Sequence, residues 1–263
     1  MDKKKRITAI IVIAVLAVAF SVLSIMCGVP HRHETIAEAM RDAVLHENGK
    51  ISLFGIKDVN PSLISAYVVT VIILVLALFI RIFAIPKFKI VPGKFQATIE
   101  LLVGYFDNLA KSNSPHQNKF LGLYVFTAGV YIFIGTMFEL LGVQAVTVAG
   151  HSITLPAPLS DINAAIAMGC FSYLVILSGG IAANGLRGVG LTLKEFSLPI
   201  SMSFRLFGAL LSGLLVTELV YYAITLSFVL PVIVGVLFTL LHAVIQAYVL
   251  TMLTALFYGE VSE

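Results

Sequence analysis

Long stretches with almost no charged side chain limit the fold of this chain more than any other feature. They cover residues 7–29, 63–80, 120–141, 162–183, 196–222 and 226–258. A helix needs about 20 mostly apolar residues to cross a bilayer. Because 59% of the residues are hydrophobic and only 12% are charged, we expect an integral membrane protein.

The apolar stretches are continuous rather than alternating, which excludes the pattern of a membrane β-barrel and leaves helices as the spanning element. The sequence therefore predicts an all-α, polytopic fold with about five to six membrane helices. The last two stretches are longer than one perpendicular crossing requires. We expect them to be two long, tilted C-terminal helices that form a hairpin.

Basic residues predict the orientation, because short loops rich in Lys and Arg stay on the cytoplasmic side. Such residues occur in 1–6 and in 81–119, whereas 139–161 contains none. Arg187 and Lys194 return the chain to the inside. Six crossings with both termini inside satisfy these signs, so the C-terminus is predicted to be cytoplasmic.

The first apolar stretch has two interpretations. Its basic start also fits a cleaved secretory signal, but its length, and the lack of a small-x-small pattern before Gly28, favour a retained anchor. After it, a metal site at His31 and His33 is one alternative and a solvated outer segment is the favoured one. Cys27 and Cys170 lack metal-type spacing, so we expect neither a disulfide framework nor a metal, and no cofactor.

Two segments between the apolar stretches have recognisable patterns. In residues 90–111, apolar residues recur at helical spacing opposite charged ones, which predicts an amphipathic helix on the inner membrane face. Residues 178–190 are rich in glycine but do not match phosphate-binding spacing. They predict either a helix end with a flexible turn or close helix packing.

Arg205 is the only Lys or Arg from residue 196 to the end of the chain. A charge at membrane depth costs about 3 kcal/mol or more, so it persists where it meets protein, water or a counter-charge. Snorkelling to the interface is the alternative. Small residues share its helical face and would let another helix approach: Ser201, Gly208, Ala209, Ser212 and Gly213. We therefore expect the counter-charge to be a carboxylate on another polypeptide.

The last apolar stretch carries a polar stripe, because Thr239, His242 and Gln246 lie on one helical face. Interhelical hydrogen bonding is the better interpretation for Thr239. For His242 and Gln246, a role in an ion path is as good an interpretation as interhelical hydrogen bonding, since histidine can exchange protons near neutral pH. We expect Gln246 to hydrogen-bond Arg205.

Five motifs resemble subunit a of the F-type ATP synthase. Ser201-Met-Ser-Phe-Arg-Leu-Phe-Gly208 is similar to the family's Arg-Leu-Phe-Gly signature. The other four are Val59-Asn-Pro-Ser, Val91-Pro-Gly-Lys-Phe-Gln-Ala-Thr-Ile-Glu100, Pro158-Leu-Ser-Asp-Ile-Asn163 and Gln246-Ala-Tyr-Val. The chain departs from the family pattern at Ala209, Leu214 and Thr239.

The resemblance implies a non-catalytic stator subunit that provides two ion half-channels to a ring of c subunits and separates them with Arg205, which couples ion flow to ATP synthesis. The ion path would use Arg205, Gln246, His242, Glu218, Asp161 and Asn163, with Glu195 and Asn184 on the inner side. Residues 1–58 would be an anchor and outer-face segment, and 59–263 the ion-translocating domain.

Partners implied by the resemblance are the c-ring, a peripheral stalk of b subunits, the rest of the synthase, the lipid bilayer and H⁺ or Na⁺ as the transported ion, with no nucleic acid. The implied location is a bacterial plasma (inner) membrane. An ion-coupled secondary transporter is the alternative, and it would predict inverted repeats that this sequence does not show.

Overall fold

The part of the chain that the structure describes is mostly helical. In this computed structural model the described residues are 11, 12, 15, 18, 19, 22, 35, 37, 38, 41, 50–53, 56–116, 118–146, 152–222 and 230–262. The helices are α1 (Pro61–Phe79), α2 (Lys94–Asn113), α3 (Asn118–Leu140), α4 (Ile162–Asn184), α5 (Leu186–Lys194), α6 (Ser197–Tyr222) and α7 (Leu230–Ser262). A short 3₁₀ turn, Pro158–Ser160, precedes α4.

Two small antiparallel β-hairpins accompany the helices. Strand β1 (Ile51–Leu53) pairs with β2 (Ile56–Val59), and β3 (Gln144–Val146) pairs with β4 (Ser152–Thr154). Strands this short contain too few residues for a period-two pattern, so the sequence did not indicate them.

Among the described residues, five helices are long and apolar enough to cross a membrane. They are Pro61–Lys87, Lys119–Leu140, Ile162–Asn184, Ser197–Val216 and Ile233–Ser262. Five of the predicted apolar stretches are thereby confirmed as helices of spanning length. The remaining stretch, 7–29, lies mostly outside the described residues and stays a prediction.

The chain divides into two compact units. The smaller contains the described residues of Met1–Asn48 and Leu211–Phe238, and the larger those of Gly49–Leu210 and Thr239–Glu263. All side-chain contacts discussed below lie within the larger unit. The predicted boundary at residue 58 stays a prediction.

The first spanning helix changes its winding before it ends. After Phe79 the backbone widens into a π turn, Ile80–Ala84, and then tightens into a 3₁₀ turn, Ile85–Lys87. Pro86 explains this change, because proline has no N–H to donate and its ring clashes with the carbonyl one turn earlier. The sequence predicted the end of this span at residue 80, several residues too early.

Glycines and small residues bring the helices of the larger unit close together. A Cβ added at Gly122 of α3 would lie 3.5 Å from Cβ of Ala110 on α2, and one added at Gly129 would lie 2.6 Å from the Phe106 ring. A hydrogen bond of 2.6 Å between the Tyr124 and Ser172 hydroxyls joins α3 to α4 inside this core. The amphipathic α2 therefore packs along α3.

Helices α4 and α5 fold back on each other through a single residue. Gly185 has φ +57°, a conformation that glycine adopts without strain. A Cβ at Gly188 would overlap the backbone carbonyl of Gly180, and the Thr192 hydroxyl lies beside the same stretch. For residues 178–190, the structure confirms both the predicted helix end, at Asn184, and the predicted close helix packing.

Hydrogen bonds between helix ends show which ends lie close to each other. The starts of α1 and α4 meet where Asn60 Nδ2 donates to Asp161 Oδ2 at 2.8 Å. The ends of α2 and α7 meet where the hydroxyls of Ser114 and Ser262 lie 3.3 Å apart. Asn184, at the end of α4, donates to the carbonyl of Val261 at 3.0 Å.

Candidate functional site

Arg205 lies on the exposed side of α6. The same helix buries Met202, Leu206 and Leu210, which are 2%, 1% and 5% exposed. Since α-helical side chains three and four residues apart share a face, the guanidinium points away from this core. Among the residues that the structure describes, Arg205 has no hydrogen bond or ion pair.

Small residues lie next to Arg205 along α6. Ser201 and Gly208 are exposed, and Ala209 is half-buried. No described atom lies within 4 Å of the position that a Cβ at Gly208 would take. Ser212 is exposed and Gly213 half-buried, and both belong to the smaller unit. Among the described residues, the surface beside Arg205 is thus open at Gly208.

Gln246 lies on a buried face of α7, whereas Arg205 is exposed. Gln246 is 5% exposed, and the alanines beside it, Ala243 and Ala247, are 0% and 8% exposed. Its Oε1 atom is buried without a hydrogen-bond partner among the described residues. A guanidinium can only donate, so a hydrogen bond from Arg205 would have to end on this atom.

The predicted hydrogen bond between Gln246 and Arg205 is therefore wrong for this structure. The sequence placed the polar residues of α7 on one face but could not say that this face turns inward at Gln246. A buried amide oxygen without a donor costs roughly 1–3 kcal/mol.

Asp161 holds the start of α4 and also clamps it to α1. Its Oδ1 accepts from the backbone N–H of Asn163 at 2.7 Å, as a helix cap does. Its Oδ2 accepts from Asn60, and the amide oxygen of Asn60 in turn caps α1 by accepting from Ser62 N–H at 3.0 Å. Both carboxylate oxygens of Asp161 are thus engaged in structural bonds, and the exposed Asn163 lies next to them.

The other predicted ion-path residues occupy separate places. Asn184 is exposed and bonds the last turn of α7, while Glu195 is half-buried in the turn between α5 and α6. His242 is half-buried on α7. Glu218 lies on α6, but its side chain is outside the described part of the chain. The structure brings Asp161 and Asn163 together and links neither to the inner pair.

Two buried or capping residues were not singled out as site residues. Asn60 forms the contact with Asp161, and Gln96 is 9% exposed and bonds the backbone of Lys89. Each lies in a motif that supported the family resemblance, and that resemblance was the only signal pointing to them. In the described residues no group of three or more His, Cys, Asp or Glu could hold a metal ion; His31 and His33 lie outside those residues.

Comparison with known proteins places these residues in a family. The family model described as ATP synthase A chain matches residues 63–259. ATP synthase subunit a of Cereibacter sphaeroides is 28% identical over 180 residues, which is 64% of this chain and 69% of that protein. Because the family match covers residues 63–259 of a 263-residue chain, the chain belongs to the ATP synthase A chain family and is a non-catalytic, ion-conducting membrane subunit.

Proposed function

We propose that this chain is the stator subunit that presents two ion half-channels to a rotating c-ring, with Arg205 as the barrier between them. The observation that carries the proposal is the exposed guanidinium on a helix of spanning length, beside the open surface at Gly208. A buried c-subunit carboxylate is the partner that such a surface would accept. A b-subunit stalk would hold the chain still while the ring turns.

Arg205 acts through the charge that it fixes at one place. A cation within about 4–6 Å of a carboxylate lowers the carboxylate pKa by roughly 1–3 units, because it stabilises the ionised form. Each ring carboxylate that reaches Arg205 would therefore release its H⁺ or Na⁺ into one half-channel. The same cation repels an ion that approaches directly from the other half-channel.

The energy per ion explains why the subunit works with a ring. Moving one charge through 100 mV yields about 2.3 kcal/mol, which is too little to make ATP in one step. The energy released by several ions must therefore be accumulated through rotation of the ring. The chain itself needs no covalent chemistry for this task.

The contacts between helix ends support the proposed orientation. Asn60 and Asp161, which meet, both belong to segments predicted outside, whereas Ser114, Asn184 and Val261 belong to segments predicted inside. We therefore propose that the C-terminus is cytoplasmic and that the membrane is a bacterial plasma membrane. Because α6 then runs outward, Glu218 lies toward the outside and Glu195 toward the inside, and His242 is assigned to the outer half-channel.

Silver accessibility tests these assignments. In a background with Cys27 and Cys170 replaced by Ser, we expect externally added Ag⁺ to block ion-driven ATP synthesis in Glu218→Cys and His242→Cys. Glu195→Cys and Asn184→Cys should respond to silver from the inside. The cysteine-free background, which should be insensitive on both sides, is the control.

The reverse pattern would refute the orientation. If only internal silver inhibits the variants at 218 and 242, the half-channel assignment is inverted. If silver inhibits none of the four variants, these residues do not line an aqueous path.

A further inference from the structure

The segment between α1 and the start of α2 carries four cations and no acidic residue. Arg81, Lys87, Lys89 and Lys94 are all exposed. From residue 81 to residue 100 the only acidic residue is Glu100. Among the described residues none of the four cationic side chains has a hydrogen bond or an ion pair. The cluster therefore has an uncompensated positive charge.

Gln96 closes the chain between these cations into a fixed loop, residues 89–96, which we call the Lys89 loop. Its Oε1 accepts from Lys89 N–H at 3.0 Å, and its Nε2 donates to the Lys89 carbonyl at 2.8 Å. Nε2 also donates to Oε1 of Glu100 at 2.7 Å, which engages the one nearby acid. The Gln96 amide thus bonds both backbone groups of Lys89, as a residue on a neighbouring β-strand would.

The tip of the Lys89 loop is apolar and uncovered. Ile90 is fully exposed, Val91 is 82% exposed, and Phe95 at the start of α2 is 60% exposed. Ile90 and Val91 thus lie between lysines and are almost uncovered in the described part of the chain. Such a combination of exposed apolar and basic residues is typical of a membrane–water interface.

We infer that the turns Ile80–Lys87 and the Lys89 loop form a binding site for the headgroups of anionic phospholipids. Ile90 and Val91 enter the boundary between headgroups and acyl chains, and Arg81, Lys87, Lys89 and Lys94 bind the lipid phosphates around them. Long basic side chains can reach the headgroups while their methylene groups stay against apolar surface.

Continuity with the membrane span identifies lipid as the occupant. The span Pro61–Lys87 ends at Lys87, so the loop that starts two residues later must leave the bilayer at the level of the headgroups. Polybasic segments directly beside a membrane helix attract anionic lipid with about 1 kcal/mol per Lys or Arg. This site does not depend on the proposed roles of Arg205 or of the half-channels.

A single tryptophan can report on this site, because the chain contains no Trp. The full chain with Ile90→Trp would be placed in nanodiscs of phosphatidylcholine with a minor fraction of phosphatidylglycerol, with bromine on the acyl chains of only one lipid. We expect brominated phosphatidylglycerol to quench the fluorescence at least about fivefold more per molecule than brominated phosphatidylcholine. Fivefold corresponds to ~1 kcal/mol, the contribution of one charged contact.

Two sets of substitutions in the Ile90→Trp chain separate the site from general charge. Replacing Arg81, Lys87, Lys89 and Lys94 by Gln should abolish the preference for phosphatidylglycerol. Replacing Lys111 and Lys119 by Gln should preserve it, since Lys111 is paired with Asp107 and both lysines are exposed outside the Lys89 loop.

Three results would overturn the inference. Equal quenching by the two brominated lipids would show that the site does not select anionic headgroups. Loss of the preference in the Lys111 and Lys119 variant would show that the preference depends on the overall positive charge of the chain and not on this site. Absence of quenching by both lipids would place the loop in water or under a protein partner with an acidic surface.

Discussion

Arg205→Ala is expected to abolish ATP synthesis driven by an imposed ion gradient in vesicles that contain the assembled synthase. In the proposed mechanism the variant loses the cation that would lower the ring carboxylate pKa by roughly 1–3 units, and the equilibrium for ion release would shift about ten- to a thousandfold. No other Lys or Arg lies between residue 196 and the C-terminus. No neighbour on these helices can therefore replace the charge.

Arg205→Lys is expected to retain little or no synthesis. Lysine keeps a positive charge, but its compact ammonium can lose its proton when desolvated, whereas guanidinium stays protonated and offers five donors across a wider front. ATP produced per vesicle after an acid–base or Na⁺ jump measures both variants.

Arg187→Ala is the matched control for both variants. Arg187 is an exposed arginine on α5 outside the spanning helices, so its loss should leave synthesis close to that of the wild type. Near-normal synthesis by Arg205→Ala would refute the role given to Arg205.

Gly188→Val is expected to prevent the subunit from folding in the membrane. The added side chain would collide with the backbone carbonyl of Gly180, and a backbone atom cannot rotate away as a flexible side chain can. Overpacking of this kind costs about 3 kcal/mol, or roughly a hundredfold in the folding equilibrium. The amount of subunit in membranes, measured by quantitative immunoblotting, should fall sharply.

Gly190→Val provides the control on the same helix. No described atom lies within 4 Å of a Cβ at Gly190, while the change in helix propensity is the same. Its level should stay near that of the wild type. Equal losses in the two variants would mean that the intrinsic helix propensity of α5, not its contact with α4, determines the effect.

The sequence was sufficient to predict the spanning helices because lipid leaves the backbone few options. A chain without water around it must satisfy its own N–H and C=O groups, so long apolar stretches become helices. The exact ends of the helices were harder to predict, as the turn at Pro86 shows. The tight fold-back at Gly185 was one of two alternatives, since glycine-rich segments permit both flexibility and close packing.

The candidate site was predictable in its composition but not in its contacts. Arg205 stood out as an isolated charge, and its exposure follows from the apolar residues around it on α6. The inward orientation of Gln246 depends on how α7 packs, which a stripe of polar residues does not specify. Asn60 and Asp161 each looked like helix starts, and only the fold brings residues that distant in sequence together.

Ion leakage through the membrane sector with a blocked rotor tests the proposed barrier function of Arg205 most directly. Vesicles would contain the sector with its ring cross-linked to a stationary subunit, and ion flux would be followed after a potential is imposed. The wild-type sector should show no flux, because ions cross only when the ring turns, whereas Arg205→Ala should conduct despite the block. A blocked Arg205→Ala sector that stays as tight as the wild type would contradict the claim that Arg205 separates the two half-channels.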